Sequence, residues 1–204
     1  MNRREKILDK ALEMFNERGV EYVGLRELAA SLDMRVSNIT YYFPTKDDLV
    51  YELSQQLRKT NGATIVSREN LTLEDFLQML RQVFQNHVRF RCLVLSVVHL
   101  LKQNKHMAAA YQKTQNIRSS AIRSSLKVLV RDNYLIIDEK VEMEFLVSML
   151  SMVSRFWISE AAVSNQQWDT QKQISHYLKL ITTLMIPYAT SKGKKGIERF
   201  IQSL

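Results

Sequence analysis

Residues 25–49 have the sequence LRELAASLDMRVSNITYYFPTKDDL, which contains two short helical patterns separated by a turn at Asp33. The apolar residues of each pattern recur at helical spacing; they are Leu25, Leu28 and Ala29 in the first, and Val36, Ile39 and Phe43 in the second. Helices this short cannot bury their apolar faces alone, so the two must pack against each other. The stretch therefore predicts a helix-turn-helix.

Residues 3–18 supply a third helix for this small core. Their apolar side chains also recur at helical spacing, and Gly19 follows where a helix commonly ends in a left-handed residue. These apolar residues are Ile7, Leu8, Ala11, Leu12 and Phe15. We predict that the three helices close one core at the amino terminus.

The second helix of the pair carries short hydrogen-bonding groups and one planar ring on its outward face. The outward residues are Arg35, Ser37, Asn38, Thr40 and Tyr41. Side chains of this kind suit base edges and phosphates, and a helix of this length fits the major groove of DNA. The outward face is therefore the predicted DNA contact.

A new helix is predicted to begin directly after this segment. Pro44 ends the preceding helix, Thr45 lies where an N-cap belongs, and Asp48 follows as its capping-box partner. Lys46 then lies in the first turn, where backbone amides and an ammonium group together suit a phosphate oxygen. We expect Lys46 to contact phosphate; the alternative is a solvated surface charge.

The range Ile7–Leu49 resembles the DNA-binding region of the TetR family of bacterial repressors. The resemblance rests on the stretch Gly19–Ala29, which ends in R-E-L-A, and on N-I-T-Y-Y-F followed by T-K-D-D-L. It implies that Arg26 approaches a base or the DNA backbone and that Tyr42 and Lys46 hold phosphates. The groove-facing residues that it implies are Arg35, Val36, Ser37, Asn38, Thr40 and Tyr41.

Several positions depart from the family pattern. Gly24 stands where the family usually has a capping Thr or Ser, Asp33 replaces the usual turn Gly, and Ser37 and Thr40 replace a frequent Gly and Tyr. Gly is tolerated at an N-cap, and Asp accepts the left-handed backbone better than most residues. The fold is therefore expected to survive, but the operator sequence cannot be transferred from a relative.

Composition predicts a soluble, all-α protein of the cytoplasm. The chain has 204 residues, 46% of them hydrophobic, with 2 Pro and 5 Gly, which favours long helices around one large core. No stretch was expected to span a membrane, and the first residues open into a helix rather than a signal peptide. Cys92 is the only cysteine, which fits a reducing compartment.

The predicted architecture has two parts. We call residues 1–48 the head, which is the three-helix helix-turn-helix DNA-binding region. We call residues 49–204 the body, which is a larger C-terminal helical bundle for ligand binding and dimerisation, and its first helix links the two. Within the body, one mostly buried helix is predicted over residues 93–101, another helix over residues 111–131, and a basic linker with a short amphipathic tail from residue 191 onward.

The net charge of +8 lies in the body, because ten Lys and Arg balance ten Asp and Glu over residues 1–60. Residues 76–131 contain no acidic residue and carry ten basic ones: Arg81, Arg89, Arg91, Lys102, Lys105, Lys113, Arg118, Arg123, Lys127 and Arg131. One interpretation is a solvated face, since long basic side chains reach water easily. The other is that some of them line the mouth of a cavity and select an anionic effector, such as a carboxylate or acyl thioester.

Two long helices are predicted over residues 139–162 and 169–188, and the second of them is apolar on two faces, since Leu180 and Ile186 add a second apolar side. A helix of this kind needs two partners, and the second is most simply the same helix pair of another subunit, forming a four-helix interface. The predicted interface residues are Leu146, Val153, Ile174, Leu178, Ile181 and Met185. Such a homodimer would bind a palindrome in double-stranded DNA with half-sites about 34 Å apart.

The effector pocket is predicted from polar tips among apolar neighbours on central body helices. The candidates are Phe84, Val88, Cys92, Leu95, His99, Tyr111, Met149, Phe156 and Trp157. The effector itself is unidentified, either anionic or hydrophobic. More often such residues are simply core.

The sequence also bears on three other functions: metal binding, catalysis and ligand-independent DNA binding. Cys92, His99 and His106 recur every seven residues, but successive side chains then lie about 10.5 Å apart along one helix, too far for a single metal ion unless the helix breaks. No linear motif indicates an enzyme or a cofactor. A ligand-independent architectural DNA-binding protein, or an activator of the same family, remains the alternative to a ligand-responsive repressor.

Overall fold

The computed structural model describes residues 2–64, 69–138 and 140–204. Over these residues it contains α-helices and one short 3₁₀ helix, Ile186–Tyr188, and its β pairing is an isolated bridge between Leu135 and Ala189. The predicted all-α class is confirmed. The α-helices are α1 (Arg3–Arg18), α2 (Leu25–Ser31), α3 (Val36–Thr40), α4 (Lys46–Thr64), α5 (Leu73–Arg89), α6 (Arg91–Leu95), α7 (Val97–Gln103), α8 (Lys105–Arg131), α9 (Val141–Ser164), α10 (Thr170–Met185) and α11 (Ser191–Gln202).

The chain forms two compact units. The first unit contains the chain up to Thr60 together with Arg89–Tyr111, and the second contains Asn61–Val88 and Gln112–Leu204. The first unit is larger than the predicted head because residues of α6, α7 and α8 share its buried core. The division of function after residue 48 stays a prediction.

The first helix of the first unit has defined ends. Asn2 and Glu5 form a capping box, in which each side chain accepts a hydrogen bond from the other's backbone amide. The helix ends at Gly19, whose φ of +94° avoids the strain that a side chain would meet there. Between these ends, the predicted core residues of α1 are all buried: Ile7, Leu8, Ala11, Leu12 and Phe15.

One side chain of α1 also fixes the corner where α6 begins. The Asn16 amide nitrogen donates to the carbonyl oxygen of Arg89 at 2.8 Å, and its amide oxygen accepts from the backbone N–H of Cys92 at 3.0 Å. Both hydrogen-bonding functions of one amide are therefore used across this contact. The thiol of Cys92 is buried, which raises its pKa to about 12 and keeps it protonated.

The middle of the chain differs from prediction in two places. The expected single helix over residues 93–101 is two helices that meet at Ser96, and Val98 is 55% exposed, so the second of them is not mostly buried. The next helix begins at Lys105 rather than at Tyr111. It does so because the Asn104 side chain accepts from the backbone N–H of Met107 at 2.9 Å and caps the start of α8.

The second unit is a helical bundle whose core lies among α5, α8, α9, α10 and α11. Thr72 caps the start of helix α5, since its hydroxyl donates to Asp75 at 2.6 Å and accepts from the Asp75 backbone N–H at 3.1 Å. Large buried side chains of this core include Phe76, Phe84, Leu126, Leu129, Leu146, Leu150, Trp157, Leu178, Ile181 and Phe200.

The carboxyl terminus is a docked helix, which corrects the predicted linker. Thr190 caps α11 by accepting from the backbone N–H of Gly193 at 3.1 Å, and Phe200 is buried. The Arg199 guanidinium pairs with Glu74 at 2.8 Å. An alanine Cβ at Gly193 would lie 2.1 Å from the carbonyl oxygen of Tyr134, so glycine permits this close approach.

Among the described residues, helix α9 is long and apolar enough to cross a membrane, judged by length and composition. This corrects the expectation that no stretch would pass such a test. Of its most apolar window, 44% is buried inside the structure, and a core helix of a soluble protein satisfies the same criteria.

Candidate nucleic-acid interface

The turn between α2 and α3 has the geometry that the sequence predicts. Asp33 adopts a left-handed backbone with φ of +50°. The backbone N–H of Met34 then donates to the carbonyl oxygen of Ala29 at 2.9 Å, which closes the end of α2. This turn sets the crossing of the two short helices and therefore the face that α3 presents.

Helix α3 is anchored by the three residues predicted to face inward. Ile39 is fully buried, Phe43 is 2% exposed, and Val36 is half-buried against the same core. Helical hydrogen bonds continue past Thr40, since the backbone N–H of Phe43 donates to the carbonyl oxygen of Ile39 at 2.9 Å. These contacts hold the opposite face of α3 outward.

Most of the predicted DNA contacts lie on this outward side. Arg26, Arg35 and Ser37 are exposed, whereas Asn38 and Thr40 are half-buried. Thr40 also donates to the carbonyl oxygen of Ser37 at 3.4 Å. The structure thus brings the predicted polar side chains together, with the two half-buried ones closest to the core.

Two adjacent tyrosines follow α3. Tyr41 is 81% exposed and Tyr42 is 36% exposed, and their rings pack edge to face with centroids 5.0 Å apart. A large ring so far in solvent contributes little to the core. Tyr41 is therefore available to a partner, while Tyr42 supports its orientation.

The charge on this surface comes from arginines without carboxylate partners. Arg18 pairs with Glu27, and Arg4 pairs with Glu52 at 2.9 Å, so those charges are compensated. Among the described residues, Arg26 and Arg35 have no ion pair. The surface beside α3 therefore presents the uncompensated guanidinium groups of Arg26 and Arg35, although residues 1–60 as a whole are balanced in charge.

Lys46 has a different position from the predicted one. The capping box of Thr45 and Asp48 is present, with the Thr45 hydroxyl donating to Asp48 at 2.7 Å. The Lys46 ammonium, however, donates to the carbonyl oxygens of Val20, Glu21 and Val23 at 2.8, 3.3 and 3.3 Å. All three of its donors are thus matched within the protein, and Lys46 stabilises the loop before α2 instead of facing outward to phosphate.

Tyr22 belongs to this surface and was missed by the sequence analysis. It is 76% exposed in the loop before α2, between the buried Val20 and Val23. Val20 and Val23 are separated by two exposed residues, Glu21 and Tyr22, so the loop offers no regular pattern that would single out the ring.

The predicted pocket residues do not converge. Cys92, Leu95, His99 and Tyr111 belong to the first unit, and the other five belong to the second: Phe84, Val88, Met149, Phe156 and Trp157. Phe84 and Trp157 stack at 4.6 Å between ring centroids and fill the core. Of the nine residues, Phe156 lines a described cavity, a groove between α8 and α9.

A buried polar cluster in the second unit was also missed. The Trp157 indole N–H donates to Nδ1 of His87 at 3.3 Å, and the Asn61 amide lies 3.4 Å from Nε2. Burial, aided by the positive charge of Arg118, lowers the pKa of His87 to about 3, so the imidazole is neutral at physiological pH. His87 follows Phe84 by three residues on the apolar face of α5, and that spacing was the signal.

The neutral imidazole fixes the hydrogen-bond directions in this cluster. An indole N–H can only donate, so Nδ1 of His87 accepts and the single ring proton lies on Nε2. The amide nitrogen of Asn61 lies 3.4 Å from Nε2, and the amide oxygen of Asn61 accepts instead from the Asn86 side chain at 2.9 Å. The hydrogen bond from Trp157 is therefore the one that orients the neutral ring.

The predicted dimer residues need correction. Leu146, Ile174, Leu178, Ile181 and Met185 are buried in the core of their own unit, and Val153 is half-buried. Other apolar residues of the same two helices are exposed, and we call five of them the α9–α10 stripe: Phe145, Met152, Phe156, Val163 and Leu180. Their exposed fractions range from 39% for Phe156 to 76% for Val163.

The three residues considered for a metal site lie on three separate helices, α6, α7 and α8. Cys92 is buried, and the ring of His106 packs on Tyr51 at 4.7 Å. Among the described residues, no group of three His, Cys, Asp or Glu side chains is placed to hold a metal ion.

Comparison with known proteins gives two family matches that together cover most of the chain. A family described as "Bacterial regulatory proteins, tetR family" matches residues 7–53, and one described as "Bacterial transcriptional repressor" matches residues 51–197. The probable HTH-type transcriptional regulator YttP of Bacillus subtilis (strain 168) is 25% identical over 141 residues. That alignment covers 67% of this chain and 63% of the relative, so the chain spans less than two thirds of that protein's length.

Solved structures share the fold. A TetR-family transcriptional regulator from Marinobacter aquaeolei VT8 superposes with a TM-score of 0.91 at 21% identity, covering 100% of this chain and 98% of that one. SmeT in complex with triclosan gives a TM-score of 0.62 at 15% identity, covering 92% of each chain. SmeT is named as the repressor of a multidrug efflux pump of Stenotrophomonas maltophilia. With a helix-turn-helix at its amino terminus and a family match over residues 51–197, this chain belongs to the TetR family of bacterial transcriptional regulators.

Proposed function

We propose that this protein is a sequence-specific DNA-binding regulator that acts in the cytoplasm as a homodimer and responds to a small-molecule effector. The observation that carries the proposal is the outward face of α3. Buried Ile39 and Phe43 fix the helix, and the side chains of Arg35, Ser37 and Tyr41 are free to enter a major groove.

Contacts on this face divide into two kinds. Asn38, with an amide that can bond an adenine edge, is the side chain best suited to base recognition on α3. Arg26, Arg35 and Tyr42 are suited to phosphates, which position the helix without selecting a sequence. Lys46 contributes by shaping the loop before α2, because its ammonium donates to three carbonyl oxygens there.

A DNA-binding assay on oligonucleotides selected from a random pool tests this division. Asn38→Ala is expected to weaken binding to the selected site by about 1–3 kcal/mol, with the loss confined to one base position in each half-site. Tyr42→Phe is the matched control, and it should weaken all sequences alike while leaving the salt dependence of binding unchanged, because it removes a hydroxyl and no charge. If Asn38→Ala weakened every sequence equally, the base-reading role would be wrong.

The same selection separates the regulator from an architectural DNA-binding protein. Enrichment of a palindrome with half-sites about 34 Å apart, or slightly more, supports a dimeric regulator. Uniform binding that depends only on salt supports the architectural alternative. Repression is favoured over activation by the family described as transcriptional repressors and by the similarity in fold to SmeT.

The α9–α10 stripe is the surface that we propose for dimerisation. Its five apolar side chains lie on α9 and α10, the two helices predicted from sequence to form a four-helix interface. These five side chains are exposed, whereas the core residues of the same helices are buried. A twofold axis through such a stripe would bring like residues together.

Charges on this stripe should separate the subunits. Leu180→Lys combined with Met152→Lys is expected to raise the dimer dissociation constant about 100-fold, because like charges facing each other across the axis cost about 3 kcal/mol. Ile117→Lys is the control, since Ile117 is 59% exposed on α8 and outside the stripe. Sedimentation velocity measures the result, and an unchanged dimer in the double variant would assign the interface to another surface.

The effector is proposed to act on the body. Its binding would favour a conformation in which two heads no longer match the half-site spacing. A near-complete switch requires the effector to prefer that conformation by roughly 5 kcal/mol. The complex of SmeT with triclosan supports the binding of a small molecule by a protein of this fold.

A further inference from the structure

A groove of about 360 Å³ lies between α8 and α9 in the second unit. Its size falls within the range typical of small-molecule sites. The space exists because small side chains, Ser119, Ser148 and Ser151, occupy the facing positions of the two helices. Apolar side chains complete the groove: Val147, Met152 and Phe156.

The ends of the groove differ in charge. At one end the Arg123 guanidinium pairs with Glu144 through two hydrogen bonds, so its charge is compensated. At the other end Arg155 donates from Nη2 to the amide oxygen of Gln115 at 2.7 Å. Within the described part of the chain, Arg155 has no carboxylate partner, and its other contact is the ring of Phe156 at 5.7 Å.

Hydrogen-bond donors at the second end have no acceptor. Arg155 Nε and Ser151 Oγ, on residues that line the groove, are buried, as is Nε2 of Gln115, the side chain that accepts from Arg155; among the described residues none of these three atoms has a hydrogen-bond partner. Gln115 is 7% exposed and Ser151 is 8% exposed. Buried donors in native proteins nearly always have an acceptor, so the unpaired donors beside this groove favour the binding of an acceptor group there.

We propose that this groove binds a carboxylate ligand. The carboxylate accepts hydrogen bonds from Arg155 and Ser151, and its single negative charge matches the single uncompensated guanidinium. An apolar chain attached to the carboxylate packs along Val147, Met152 and Phe156. The excess positive charge of residues 76–131 thereby gains one defined use, the attraction of an anion toward α8.

The ligand also touches the surface proposed for dimerisation. Met152 and Phe156 line the groove and belong to the α9–α10 stripe. A ligand that moves these two side chains therefore alters the stripe itself. Calling the ligand an effector rests on the proposed regulatory function, whereas its binding in the groove does not.

Titration calorimetry on the full-length chain, without DNA, tests the site with octanoate and its uncharged match octanamide. Octanoate is expected to bind and octanamide to bind at least about tenfold more weakly, because the charge-assisted hydrogen bond to Arg155 is lost. Arg155→Gln should weaken octanoate by about tenfold or more, and Ser151→Ala should weaken it by a few-fold. Lys113→Gln removes an exposed charge from α8 outside the groove and should change nothing.

Several results would overturn the proposal. The proposal is wrong if octanoate and octanamide bind with equal affinity, or if neither Ser151→Ala nor Arg155→Gln changes octanoate binding. It is also wrong if inorganic phosphate binds as tightly as octanoate, or if octanoate gives no heat of binding up to about 10 mM. Arg155→Lys keeps the charge and decides the outcome if Arg155→Gln does not fold. Because DNA is absent, a protein that failed to bind an operator would still give a clear result here.

Discussion

Acidification from about pH 7.5 to pH 4.5 is expected to lower the free energy of unfolding by about 3 kcal/mol through His87 alone. The pKa of His87 falls from 6.5 to about 3 on folding, because the ring is buried and lies near the positive charge of Arg118. Below about pH 6.5 the unfolded chain binds a proton that the folded chain does not. The stabilisation is therefore complete above pH 6.5 and is lost as the pH falls toward 3, at about 1.4 kcal/mol per pH unit.

Urea unfolding of the wild type and of His87→Gln at both pH values isolates this contribution. Glutamine keeps an oxygen that can accept from the Trp157 indole N–H, but it does not titrate. All other titrating groups are common to the two proteins and cancel in the difference. The variant should lose about 3 kcal/mol less than the wild type on acidification, and an equal loss in both would show that His87 is accessible to protons in the folded state.

The second large effect is expected at the close approach of α11 to the chain after α8. Gly193→Ala should destabilise the protein by about 1–3 kcal/mol or more, because its Cβ would lie 2.1 Å from the carbonyl oxygen of Tyr134 and the backbone must move. Displacement of α11 would also disturb the pairing of Arg199 with Glu74. Thermal and urea unfolding both measure the change.

Gly196→Ala is a matched control on the same helix. Its Cβ would be 3.6 Å from the nearest heavy atom, the Cβ of Leu73, which is ordinary contact. Alanine there should be neutral or should stabilise by up to about 1 kcal/mol, since glycine is unfavourable inside a helix. Equal stability of the two variants would mean that α11 is not packed against Tyr134 as described.

The helix-turn-helix could be predicted from sequence because its determinants are local. Periodic apolar residues define both short helices, Asp33 supplies the left-handed turn, and Thr45 with Asp48 caps the next helix. Each of these signals acts within a few residues. The structure confirms each of them, and the more distant α6, α7 and α8 add side chains to the same core.

The assignment of faces on α9 and α10 could not be predicted in the same way. Periodicity shows that a helix has an apolar stripe, but it does not show whether that stripe meets its own chain or another. The more regular stripe, which includes Leu178 and Ile181, is core, and the less regular one with Met152 and Leu180 is exposed. A regular stripe packs along its whole length, so regularity itself favours the core.

The groove between α8 and α9 lay outside the sequence analysis for another reason. The pocket predicted from sequence consists mostly of large apolar and aromatic side chains. In the structure two of them, Phe84 and Trp157, stack on each other and leave no space between them. The space appears instead where serines face each other, and only tertiary pairing shows which serines do so. Lys46 is a similar case, because its acceptors on the loop before α2 are more than twenty residues away in sequence.

Asn16 has a mechanical consequence for the first unit. The side-chain amide of Asn16 on α1 bonds both the carbonyl oxygen of Arg89 and the backbone N–H of Cys92. The start of α6 is thus attached directly to α1, with no loop between them that could take up a displacement. Pulling on the corner must either drag α1 with it or break two hydrogen bonds at once. We therefore expect a movement at the start of α6 to move α1 with it.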